Sequence, residues 1–167
     1  MVSWRRAEFA ALDFETTGLD TATDAVVSFG VVPVRGGRVI LGEVVHQLVD
    51  PHVAPSPRSQ TIHELRPSDL AGSPSMSQAR ELLSRALDRR WLLAWFAEVE
   101  VAFLAAIYGT SERPWRRRTI DVRNLAIAAD GEPLETRTRP GYALGAEARR
   151  RGIPVVNPHE ALDDALV

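Results

Sequence analysis

The chain has 167 residues, 45% of them apolar and 25% charged, with a net charge of −2, a size that suits one hydrophobic core and falls short of two ordinary ones. No apolar run approaches a membrane span, and the absence of cysteine excludes a disulfide framework. With no signal-like apolar stretch behind "MVSWRR", the expectation is a single cytoplasmic domain over 1–167, not membrane-bound, that continues past Val167 in the natural protein.

In chain order, "EFAALDF", "AVVSFGVVPV" and "RVILGEVVHQLV" read as three strands, with "RGG" as a hairpin turn between the second and third. From Pro51 to Pro74 the chain is rich in Pro, Ser and His and reads as an extended surface segment. A helix is expected over "SMSQARELLSRALDRR", a short strand over "WLLAW", and a second helix over "EVEVAFLAAIYG", closing on Gly109. The loop "RPWRRR" follows, with phosphate-binding cations and one aromatic able to stack on a base, although such loops are more often solvated surface. All twenty cations of the chain are arginine, and a second group lies at Arg149–Arg151. "RTIDV" reads as a strand, and "RNLAIAADG", "YALGAEARRRGI" and "NPHEALDDALV" as helices. Antiparallel strands followed by strand and helix in alternation predict an α/β fold, its mixed sheet flanked by helices.

Three features carry chemistry. In "ALDFETTGLD", Asp13 and Glu15 are two apart on a strand and share one face, where two like charges are costly unless a cation lies between them. Glu100 lies near the start of its helix on the face of Phe103, Leu104 and Ile107, where an unpaired carboxylate is expensive to bury; alternatively it only complements the helix dipole. In "NPHEALDDALV", Asn157 as cap and Pro158 as first residue start a helix that carries His159, Asp163 and Asp164. That cluster suits catalysis or metal binding, or is a surface helix with acids at its positive end, and spacing does not choose between Asp163 and Asp164.

"LDFETTGL" together with "HEALDDAL" resembles the DEDDh exonucleases, the family with four acids and a histidine. "DFETTG" matches the first motif without a gap, and His159 followed five residues later by Asp164 matches the third, which selects Asp164 over Asp163. The segment ending in His63, "TIDVRNLA" and "YALGAEARRRGIPVVNPHEALDDA" fall in the family's order. The second motif departs from the pattern: Trp95, Phe96, Ala97, Glu98, Val99 and Glu100 stand where His-Asn-Ala-x-Phe-Asp is usual.

The resemblance implies a ribonuclease H-like fold with three antiparallel strands before the parallel ones, and a 3′–5′ exonuclease in replication or repair. Asp13, Glu15 and Asp164 would hold one magnesium or manganese ion, and Asp13 would bridge to a second that Glu100 helps position. All-oxygen ligands favour these ions over zinc. His159 would be the general base, suited to proton transfer near neutral pH. Thr16, Thr17, Gly18, Leu19 and His63 would meet the terminal nucleotide. The substrate would be the 3′ end of single-stranded DNA, released as nucleoside 5′-monophosphates, with a DNA polymerase as a partner. Two other readings stay open: an RNA-directed exonuclease, and a relative that has lost catalysis and serves as a nucleic-acid-binding or assembly module.

Overall fold

The computed structural model describes residues 3–53, 55–138 and 142–167. Strand β1 (Glu8–Thr16) pairs antiparallel with β2 (Val26–Arg35). A two-residue turn at Gly36 and Gly37, both at positive φ, returns the chain into β3 (Arg38–Val39), the turn geometry that matches strand twist and that glycine accepts readily. The expected third strand is broken. After β3 a single 3₁₀ turn (Leu41–Glu43) intervenes before β4 (Val45–Leu48), and both pieces pair with β2. Pro33 accounts for the break. Its carbonyl accepts from Ile40, so its missing N–H falls on the edge that faces the third strand, and the ladder loses a bond there.

The segment after Pro51 is not extended throughout; it holds two short helices, α1 (Pro57–His63) and α2 (Pro67–Leu70). Ser56 caps α1 by accepting from the Ser59 amide, and both helices begin on proline, which loses nothing at a position where the amide has no helical partner. Helix α3 (Met76–Leu87) leads into β5 (Trp91–Ala94), then α4 (Glu98–Tyr108), which ends on Gly109 at φ 61 as expected. Helix α5 (Arg113–Arg116), β6 (Thr119–Asp121), α6 (Val122–Ala129), α7 (Leu144–Arg151) and α8 (Ala161–Leu166) complete the chain. Strands β5 and β6 run parallel to β1, giving the order β3-β2-β1-β5-β6 with β4 also on β2. This is the mixed sheet the sequence predicts.

The two faces of the sheet differ. One carries Ala10, Leu12, Phe14, Phe29, Val31 and Leu92 into the core, closed by Leu83 and Leu87 of α3 and Phe103 and Leu104 of α4. Each of the larger side chains contributes roughly 1.5–3 kcal/mol on burial. The other face presents Asp13 and Glu15, and α8 lies over it. Gly30, directly across from Asp13, makes this docking possible: a Cβ there would stand 2.2 Å from the Ala161 carbonyl oxygen.

In the arginine-rich segment Trp115 and Arg118 pack, while Arg113, Arg116 and Arg117 are exposed. Trp115 stacks against Tyr108 with ring centroids 5.1 Å apart, carries Arg118 on its ring, and donates to Thr110. It sits beside the amino ends of β5 and β6, away from the acids. Arg150 and Arg151 are taken up by Glu147 and Asp130. Among the described residues, no helix is long and apolar enough to cross a membrane.

Candidate active site

Asp13 and Glu15 arrive from the end of β1, where the pairing with β2 slips between Glu15 and Thr16; such irregularities end a ladder and re-aim side chains. Glu100 comes from the first turn of α4 and is only 4% exposed. Asp164 comes from α8, which begins at Ala161 rather than near Pro158. The reason is side-chain competition for the backbone. Asp163 accepts from both the backbone and side-chain nitrogens of Asn157, at 3.1 and 2.8 Å, and Asp164 accepts from the His159 amide at 3.2 Å. The segment before α8 is thereby folded into a turn with His159 at φ 66. Asp163 is committed to Asn157, and Asp164 is the acid left facing β1.

Glu15, His159 and Asp164 each bring a potential ligand atom within 4.8 Å of the others. This grouping differs from the expected Asp13, Glu15 and Asp164, since it holds His159 and not Asp13. Asp13 is nevertheless electrostatically continuous with it. Burial, then the charge of Asp164, push Asp13 well above the usual carboxylate range. Glu15 is pushed up to about 9 by burial and then by Asp13, Asp164 and Glu160. Burial and the neighbouring Asp13 raise Glu100 strongly, against its own backbone hydrogen bond. Asp164 is raised by burial, with the backbone and ring of His159 opposing.

Among the described residues no arginine pairs with any of these four acids, although arginines pair with Glu8, Glu43, Glu81, Asp88, Glu112, Asp130 and Glu147. The Glu100 Oε2 atom is buried without a hydrogen-bond partner. Four crowded carboxylates with an orphaned oxygen fit hard divalent cations.

A cleft of about 410 Å³ adjoins the acids, lined by Glu15, Thr16, Gly18, Leu19 and His63 among others. Leu19 is 73% exposed at its rim. Thr17 turns the other way: its hydroxyl donates to Asp24 and accepts from the Ala25 amide, and its carbonyl accepts from Ser59. Its hydroxyl is therefore engaged within the loop, which it fixes. His63 accepts from the Leu65 amide through Nδ1, and burial lowers its pKa against the backbone of Thr16, with the nearby His159 adding to the lowering. Ser59, Ile62 and Val99 also line the cleft and were not foreseen; the Ser56-Pro57 start of α1 was the available signal for Ser59.

The exonuclease family model matches residues 10–167. The chain belongs to this exonuclease family. It is 30% identical to the DNA polymerase III PolC-type of Thermotoga petrophila over 99% of its length and 12% of that protein's. Its fold is that of E. coli exonuclease I crystallised with a dT13 oligonucleotide, with a TM-score of 0.79, 16% identity, and cover of 96% of this chain and 39% of that one. It is also that of the nuclease domain of 3′hExo, a DEDDh member bound to rAMP, with a TM-score of 0.76, 14% identity, and cover of 99% and 89%. The exonuclease fold described above therefore spans only a small part of its polymerase relative.

Proposed function

We propose that residues 1–167 form one 3′–5′ exonuclease domain that hydrolyses the terminal phosphodiester of single-stranded DNA. The observation that carries this reading is the grouping of Glu15, Asp164 and His159, with Asp13 and Glu100 in the same field and, among the described residues, no arginine paired with these acids. Asp13, Glu15 and Asp164 would hold one divalent ion and Asp13 with Glu100 a second, magnesium or manganese by ligand type. Such a pair supplies charge neutralisation for the attacking and leaving oxygens of the displacement.

The chain's own residues do the rest. His159, held by its amide on Asp164, takes the proton of the attacking water through its ring. Thr16, Gly18 and Leu19 receive the terminal nucleotide, with Thr17 and Asp24 bracing the loop beneath them. His63 stands at the cleft beside His159. The products are nucleoside 5′-monophosphates. The polymerase relative supports attachment to a DNA polymerase, and the dT13 complex supports DNA as substrate. The rAMP complex favours a second reading with RNA as substrate.

With manganese present, the protein should shorten 5′-labelled DNA stepwise from its 3′ end, and RNA run in parallel decides between the polymers. Asp13→Ala should abolish shortening; cleavage that survives it refutes the assignment, and an inert but DNA-binding wild type would mark a catalytically lost module.

A further inference from the structure

The carboxyl ends of β5 and β6 hold a second feature that the mechanism does not use. Phe96 follows β5 at φ 62, a left-handed conformation that a bulky residue adopts only when its surroundings impose it. The guanidinium of Arg123, in the first turn of α6, lies 4.2 Å from the centre of the Phe96 ring. Among the described residues Arg123 has no ion-pair partner, and its Nε is buried without a hydrogen-bond partner. Arg123 is thus held on an aromatic face, and among the described residues no acid takes its guanidinium.

Its position is set by register. Leu93 of β5 lies level with Ala11 of β1 and with Ile120 of β6. Phe96 and Arg123 therefore lie about level with Asp13 and Glu15, at the strand ends where ligands of parallel sheets bind. Strand spacing puts β6 roughly 10 Å from β1.

We infer that Arg123, braced on Phe96, binds a phosphodiester of the strand that leads into the site, beyond the bond that is cut. This rests on the exonuclease reading above. Phe96 occupies one face of the guanidinium, and the remaining fork of N–H donors matches two phosphate oxygens better than a base.

The test compares thymidine 5′-(4-nitrophenyl phosphate), a one-nucleotide ester, with a thymidine oligonucleotide. Arg123→Ala should lower the ratio of kcat/KM for the oligonucleotide to that for the ester by about tenfold. It should also flatten the salt dependence of oligonucleotide affinity, read by fluorescence anisotropy in EDTA, by about 0.7 in log–log slope. Arg123→Lys should recover the slope better than the ratio, and Phe96→Leu should lower affinity with the charge intact. An unchanged ratio, including equal loss on both substrates, or an unchanged slope overturns the subsite. A wild type that cleaves neither substrate removes the exonuclease reading, and the anisotropy slope then decides the subsite alone.

Discussion

Substituting Glu15 by glutamine tests whether the crowded acids are a site for cations rather than a fixed feature of the fold. Glu15 is 8% exposed, and its pKa lies at about 9 instead of the usual 4.5. Between those values the folded, metal-free protein keeps a proton that the unfolded chain has released. The folded state is then favoured most below about pH 4.5, and that contribution is lost as pH rises toward 9, by up to about 1.4 kcal/mol per pH unit. At pH near 7.5 the loss amounts to roughly 4 kcal/mol, or roughly 10 °C in Tm for a chain of this size. A glutamine at this position has no proton to release, so in EDTA the variant should melt with a visibly flatter pH profile and overtake the wild type above neutral pH. Manganese should close most of that gap, since ligand at a hundredfold over Kd stabilises by about 2.7 kcal/mol and the variant lacks one ligand. Thermal melts between about pH 5.5 and 8.5, with EDTA or manganese, supply both comparisons. Parallel profiles for the two proteins in EDTA would refute the electrostatic reasoning.

Three further outcomes are expected. His159→Ala should lower kcat by about 10²–10⁴-fold while keeping most of the manganese-induced rise in Tm, because the acids remain; a rate near wild type removes His159 as the base. Glu100→Gln keeps the packing of α4 but removes its charge, and should weaken activity by about a hundredfold and stabilise the metal-free protein above neutral pH, checked by initial rates and melts in EDTA. Gly30→Ala places a methyl against the Ala161 carbonyl; it should cost about 1–3 kcal/mol in urea denaturation and reduce activity disproportionately, because Asp164 moves with α8.

Much of this was legible locally. The pairing of Asp13 with Glu15 on one face follows from strand alternation, and the ends of α4 and of the β2–β3 hairpin follow from Gly109 and from Gly36 with Gly37. What escaped depended on neighbours distant in sequence. Pro33 breaks the third strand only because its amide edge faces that strand, which no pattern within β2 reveals. Asn157 and Pro158 have the chemistry of a helix start, but Asp163 six residues on captures Asn157 and delays α8 to Ala161. Helices α1 and α2 are shorter than an isolated helix can sustain, so their proline starts were read as loop signals. The stacking of Arg123 on Phe96 joins β5 to α6 and has no trace in local sequence.

The departures in the second motif gain a common sense from this arrangement. Where the family usually shows His-Asn before its Asp, this chain has Trp95 and Phe96 before Glu100. Trp95 lines an apolar groove with Val122, Leu144 and Val167, while Phe96 points its ring at Arg123, so two polar positions have become packing and an aromatic platform. Glu100 meanwhile keeps a carboxylate in the field of Asp13. The acids are expensive to hold together, and that cost is met by the opposite face of the same sheet, where Leu12, Phe14 and Phe29 anchor β1 and β2 in the core. Exchange of residues is tolerated at the rim because the strands that aim Asp13 and Glu15 are fixed from behind.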